Sequence, residues 1–233
     1  MKGKKLVKYL PLALILVLMI AAYISGITNF LTLETLRDYD KTLQKFVQEH
    51  AILAPLLFMV AYALSAALSL PVSIYFTLLA GFLFPQPYST LYAVFSATLG
   101  ATLFYYAAKT PLQEVFRKRA GDALHKLEKG LKEHTASYFL FLRIIPLFPF
   151  WFLNLAGAFF HVPAWTFIWT TFIGILPASF IYTETGGSLE AILESDKPIT
   201  LSLIFNTKMI VAMVGLGILA LLPIAIKKLK KKR

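Results

Sequence analysis

There is no cysteine in these 233 residues, so a disulfide framework, a thiolate metal site and a cysteine nucleophile are all excluded. Charge is scarce as well: only 15% of residues are Asp, Glu, Lys or Arg, and 12 acids face 23 bases. Between Ala51 and Lys109 there is no Asp or Glu at all. No phosphate-cradling P-loop string occurs, and His50, His125, His134 and His161 are scattered without the H-E-x-x-H spacing of a metal site. The string Gly215-Leu-Gly217-Ile-Leu-Ala220 fits a dinucleotide fingerprint only formally, because it lies inside an apolar run with no strand before it. No serine nucleophile with a base, and no group of carboxylates or histidines, shares one face. The chain is therefore not expected to be an enzyme, and neither a cofactor nor a metal is expected.

What the chain does have is apolar surface. With 58% hydrophobic residues and a mean hydropathy of +0.69, its main solvent is lipid. The net charge of +11 would suit a nucleic-acid binder if it formed one patch. Instead the bases gather in blocks beside apolar runs: Lys2 to Lys8, Lys109 to Lys132, and the final Lys-Lys-Leu-Lys-Lys-Lys-Arg. Such blocks mark the cytoplasmic ends of membrane spans, so nucleic acid is not an expected partner.

Leu6 to Gly26 is an apolar run of about twenty residues, enough to cross the hydrocarbon core as a helix. A signal peptide is the competing reading, but the run is long for one and no A-x-A site closes it. Thr32 to His50 then becomes amphipathic, with Leu33, Leu36, Leu43, Phe46 and Val47 on one face, and is expected to lie along the interface. The expected organisation has four parts. Residues 1–28 are a basic end and transmembrane helix, 29–50 an external amphipathic segment, 51–187 a core, and 188–233 an external loop, last transmembrane helix and basic tail.

Within that core a pattern occurs twice: a proline, an apolar stretch, Ala-Gly, then an apolar helix with a glycine and a distal tyrosine. The copies are Pro71, Ala80-Gly81, Gly100, Tyr105 and Pro146, Ala156-Gly157, Gly174, Tyr182. Broken hydrophobic segments at corresponding places in two halves point to a transport site at the repeat interface. Charge parity agrees. If 51–70 and 138–160 each crossed the membrane once, the Lys109–Lys132 block and the C-terminal tail would fall outside, against the positive-inside bias. Hairpins at about 51–84 and 138–160 that enter and leave by the same face restore it. The fold class expected is thus an all-α integral membrane protein with two inverted hairpin-plus-helix repeats, framed by N- and C-terminal transmembrane helices. Both termini are then cytoplasmic. Irregular backbone at membrane depth must line water or be buried in protein, so the hairpin tips are expected to meet around a polar cavity near the midplane.

The run Phe139-Leu-Phe-Leu-Arg143-Ile-Ile-Pro146-Leu-Phe-Pro149-Phe-Trp-Phe-Leu-Asn154-Leu-Ala156-Gly157, continuing through Phe167, Gly174, Pro177 and Tyr182 to Gly186, resembles the VTT-domain family. This is the SNARE-associated Golgi protein group of the DedA superfamily, and the resemblance spans roughly Ala51 to Gly187. It implies two facing re-entrant hairpins and movement of lipids, by scramblases in eukaryotes or by flippases of polyprenyl phosphate in bacteria. The short chain and lysine-rich ends resemble a bacterial member in the plasma membrane, multi-pass, with membrane lipids as partners and a homo-oligomer left open. Family members with proposed proton coupling carry acids in the first hairpin, where this chain has Ser69, Ser73, Tyr75 and Thr77. That departure favours passive scrambling.

Arg143 carries two readings: its guanidinium holds a phosphate in the cavity, or it snorkels to headgroups near the boundary. Asn154 either satisfies backbone freed by Pro149 or touches the substrate. Ser73 and Tyr75 complete the expected substrate path. Pro71, Pro146 and Pro149 are expected to shape the hairpins, with Gly81 and Gly157 allowing close helix approach. Glu184 is either a gate or an ordinary interfacial acid. The segment 112–134 is expected to form a basic interfacial helix. The function expected is translocation of a lipid or lipid-linked phosphate, with small-solute or ion transport as the alternative and a lipid-phosphate enzyme behind both.

Overall fold

The computed structural model describes residues 9–25, 33–119, 134–145 and 148–188, together with 214, 215 and 218. Among the described residues all regular structure is helical: α1 (Leu10–Ile24), α2 (Leu33–Glu49), α3 (Leu53–Ala67), α4 (Ser73–Leu83), α5 (Tyr88–Arg119), α6 (Thr135–Ile144), α7 (Phe150–Phe159) and α8 (Ala164–Gly187).

The break after α3 is built into the chain. Ser69 takes φ 53°, Leu70 N–H donates to the Ser65 carbonyl at 3.1 Å and Ser69 N–H to that of Ala66 at 3.0 Å. This is a Schellman ending, with serine in the left-handed position that glycine usually fills, and Pro71 follows where the helix cannot continue. α4 then runs back along α3. Phe58 meets Phe84 at 5.4 Å and Tyr62 stacks on Phe76 at 5.0 Å, while the Tyr62 hydroxyl donates to the Ser73 carbonyl at 3.1 Å. Falling numbers on one arm meet rising numbers on the other, so the arms are antiparallel. The second hairpin has the same form. Ile145 is extended, Pro149 with φ −56° starts α7, and Arg143 of α6 bonds Asn154 of α7 at 2.8 Å. Proline suits that boundary because its fixed φ and missing N–H cost nothing where the first turn has no intrahelical acceptor.

The two long helices run antiparallel as well. Thr90 meets Thr183 at 2.8 Å, Phe95 meets Phe172 at 5.0 Å, and Tyr105 stacks on Phe167 at 4.7 Å. The exit of α4 therefore lies at one end of this pair and the exit of α7 at the other, where the Tyr105 hydroxyl donates to the Val162 carbonyl at 2.6 Å. α3 packs on α5 and α6 on α8, while each second arm crosses over, α4 to α8 and α7 to α5. Gly100 lies against Ala63, Ala66 and Ala67, and Gly174 against the Arg143 stem. Both glycines stand about halfway along their helices, so each hairpin tip reaches mid-height.

The core mixes aromatic rings, among them Phe58, Phe76, Tyr105, Phe139 and Phe167, with small and hydroxylated residues. Ala66, Ala80, Ala93, Ala101, Ser96, Thr170, Thr171 and Thr183 are buried, whereas Leu91, Phe95, Leu99 and Leu103 form an exposed stripe on α5. Small residues where helices meet, with large apolar side chains on the outer face, is how helices pack when lipid is the solvent. Residues 88–114 and 164–187 are each long and apolar enough to cross a membrane. The hydroxyls inside are paired mostly to the preceding turn, as in Thr171 Oγ1 to the Phe167 carbonyl at 2.6 Å.

One expectation is corrected. Residues 112–119 do not begin a separate interfacial helix but continue α5 beyond Pro111, and 120–133 lie outside the described residues. Of the apolar run 6–26, residues 6–8 and 26 lie outside the described residues, and α1 spans 15 residues within it. It lies on α5 through Leu12 and Ile15, with Tyr9 donating to Glu114. Between 41–49 and 53–67 the chain bends by 119°, which sets the amphipathic α2 across the direction of α3. The first basic block, the C-terminal tail and most of the last apolar run also lie outside the described residues.

Candidate functional site

The two hairpins share a cavity of about 390 Å3. Tyr62, Ser73, Ile74 and Thr77 line it from the first hairpin and Arg143, Ile145, Phe148, Pro149 and Phe150 from the second, with Ile175, Ser179 and Tyr182 of α8 closing it. Most of this lining is apolar, which corrects the expected polar cavity. Among the described residues its polarity is concentrated in a few hydroxyls and one guanidinium, and no Asp or Glu contributes.

Arg143 is only 4% exposed. The packing around it sets its posture. A Cβ at Gly174 would lie 2.4 Å from the Arg143 Cβ, so only glycine lets the stem pass there. The guanidinium stands 4.9 Å from the Phe150 ring and 5.3 Å from that of Phe167. Phe167 in turn occupies space that any side chain at Gly157 would take, since a Cβ there would sit 2.5 Å from the ring. Nη2 donates to Asn154 Oδ1 at 2.8 Å, while Nε, Nη1 and Asn154 Nδ2 are buried with no acceptor among the described residues.

The energies show that this arrangement is incomplete. Burying an ion costs several kcal/mol even after relaxation. One hydrogen bond to the charge returns about 1.5–3 kcal/mol, and each aromatic face about 0.5–2 kcal/mol. Three guanidinium N–H groups and the Asn154 amide remain without acceptors, each costing about 1–3 kcal/mol if left so. A donor-only site of this kind is completed by water or by a ligand rich in oxygen acceptors, above all a phosphate.

The expected site residues divide. Ser73 and Pro149 line the cavity with Arg143. Asn154, fully buried, acts behind it as the acceptor for Arg143, and not as a partner for backbone freed by Pro149. Tyr75 does not reach the cavity. It is 45% exposed on α4, because Ser73, Ile74 and Thr77 occupy the inward side. Pro71 is exposed in the first tip, and Pro146 lies outside the described residues. Gly81 permits close approach of α4 to the α8 backbone, whereas Gly157 accommodates a ring rather than a helix. Glu184 lines a separate pocket at the far end of α8. Phe150, Phe167, Ser179 and Tyr182 were not expected around Arg143; Tyr182 had a signal, as the distal tyrosine of the repeat.

Two inverted hairpin-and-helix repeats around a central cavity, with lipid-facing outer surfaces, define a membrane protein of the hairpin type. The VTT domain pattern matches residues 70–188, just over half of the chain, and the chain belongs to the VTT-domain family. It is 30% identical to Transmembrane protein 41B of Xenopus tropicalis over 206 residues, covering 84% of this chain and 72% of that protein. It is 28% identical to a Transmembrane protein 41 homolog of Caenorhabditis elegans, covering 84% and 78%. The Dictyostelium discoideum homolog is 33% identical, with 86% of this chain and 58% of that protein covered. These relatives are eukaryotic. No solved structure matches the chain.

Proposed function

We propose that this protein moves phosphate-bearing lipids across the bilayer through the cavity between its hairpin tips. The observation that carries the reading is Arg143, buried between two rings at mid-height with N–H donors facing no acceptor among the described residues. A phosphate travelling along the cavity supplies the missing acceptors, while the apolar walls and lipid-facing flanks accommodate acyl or polyprenyl chains. With no carboxylate on the cavity wall there is no proton relay beside Arg143, so movement is passive. The hairpins are re-entrant, the termini cytoplasmic, and the host a plasma membrane of bacterial type. Lipids are the partners, no nucleic acid is bound, no bond is made or broken, and a second copy of the chain is not needed to complete the cavity.

The test is reconstitution into liposomes, following fluorescent phospholipids and a polyprenyl phosphate with and without a pH gradient. The parent chain is expected to equilibrate lipids without a gradient, and Arg143→Ala to slow them by about tenfold or more, the worth of one hydrogen bond to a charge. Equal rates for the two proteins would remove Arg143 from the mechanism. A cavity of about 390 Å3 also admits a small solute. Uptake of a soluble anion without lipid movement would favour that second reading.

Topology has its own test, made simple by the absence of native cysteine. Single cysteines replacing Tyr88 and Trp165, both exposed at the starts of α5 and α8, are expected to react with an impermeant maleimide from opposite faces, 88 outside and 165 inside. Labelling from one face sinks the inverted arrangement in the membrane.

A further inference from the structure

A second pocket, also of about 390 Å3, lies between the end of α4 and the end of α8. It is offset from the Arg143 cavity by one turn of α4, where Thr77 lines the first and Gly81 the second. On α8 it is the next residue, Tyr182 lining one and Thr183 the other. The close backbone contact of Gly81 with Thr183 lies at their boundary.

The electrostatics of the two pockets are opposite. Among the described residues no Lys or Arg lines the second, and Glu184 brings an exposed carboxylate to it. α4 ends there because Phe84, forced extended by the following Pro85, takes ψ 142°. Pro85 stands four residues beyond Gly81 and has no N–H, so that carbonyl has no helical donor. The last turn of α8 ends on the same pocket, which adds the negative end of a second helix dipole. Gln86 is pinned, its Nε2 donating to Thr183 Oγ1 at 2.6 Å and its Oε1 accepting from Thr90 at 2.7 Å. Phe82 supplies an aromatic wall.

We infer that this pocket takes the primary ammonium of a zwitterionic phospholipid headgroup, with Glu184 as countercharge and the Gly81 carbonyl as an acceptor for its N–H groups. The lipid source of the ammonium rests on the translocation reading; binding of a free amine does not. An open carbonyl suits a group with N–H donors on a carbon stem. One carboxylate in so wide a space does not suit a divalent ion, which needs about six close oxygens. A headgroup passing along the α4–α8 seam thus meets a cationic station for its phosphate and an anionic station for its amine.

Thermal unfolding of the purified protein is measured against ethanolamine hydrochloride, with sodium chloride and tetramethylammonium chloride at equal ionic strength. A saturable upward shift with ethanolamine alone is expected, and Glu184→Gln, at an exposed position that the fold tolerates, abolishes it. In liposomes the same variant slows an ethanolamine phospholipid on the order of threefold, as suits a partly exposed charge, and leaves phosphatidylglycerol unchanged. A shift that survives Glu184→Gln, or no saturable shift, overturns the site. An equal shift with sodium overturns the ammonium reading. Ethanolamine binding lost in Glu184→Gln, in a parent protein that moves no lipid, supports the site and sinks translocation instead.

Discussion

Asn154→Asp is expected to fold as well as the parent chain and to lose most of its movement of phosphate lipids. The two side chains have nearly the same shape, so a carboxylate oxygen takes the place of Oδ1, 2.8 Å from Arg143 Nη2. The new charge neutralises the guanidinium inside the protein, and the cavity loses the only positive charge on its wall. A phosphate then meets a paired arginine beside a buried carboxylate. Losing the equivalent of one charge-assisted hydrogen bond, about 1.5–3 kcal/mol, slows passage by about 10- to 100-fold. Asn154→Leu acts differently, because it strands Arg143 without an acceptor and lowers stability by about 3–5 kcal/mol. Thermal unfolding in detergent separates the two variants from one another. Vesicle assays on Asn154→Asp decide the mechanism: parental rates with parental stability would show that the Arg143 charge has no part in lipid movement.

The largest stability effects are expected at the α4–α8 crossing. A Cβ on Gly81 would lie 1.8 Å from the Thr183 carbonyl oxygen, and one on Gly186 would lie 2.0 Å from that of Leu78. Both obstacles are backbone, so no rotamer change relieves them, and the helices must part by more than an ångström. Ordinary overpacking costs about 1–3 kcal/mol. Separating two helices that hold the first hairpin in place exceeds that range for Gly81→Val and Gly186→Val. Both are expected to accumulate poorly and to unfold well below the parent. Gly187→Ala is the internal control, because its Cβ would meet only the Gly81 carbonyl at an ordinary 3.4 Å. Parental melting of Gly81→Val would mean that α4 and α8 do not pack in this way.

Pro71, Gly81, Gly100 and Tyr105 with their counterparts made the repeat legible before any coordinates, because backbone breaks, close approaches and distal hydroxyls each demand a particular residue type. Arg143 was legible for a similar reason: a charge in an apolar run is costly and stands out. Tyr75 was misplaced because nearness to a proline in sequence does not say which side of a short helix faces inward. The Arg143 partnership of Asn154 was not foreseen, because Arg143 comes close to it only once the hairpin has folded back. The Glu184 pocket had half a signal, since Pro85 strips a donor from α4, but the other half came from an α8 terminus about a hundred residues away.

The sequence by itself determined the solvent, the helical class, the paired breaks and the presence of one arginine in an acid-free region, since hydropathy, charge and proline act locally. Only the tertiary structure decided that α4 crosses to α8 and α7 to α5, that two rings and an amide hold Arg143, and that a second pocket of opposite polarity lies one turn away. Those features depend on which faces meet across distant segments, and helical periodicity in uniformly apolar runs leaves that choice to packing.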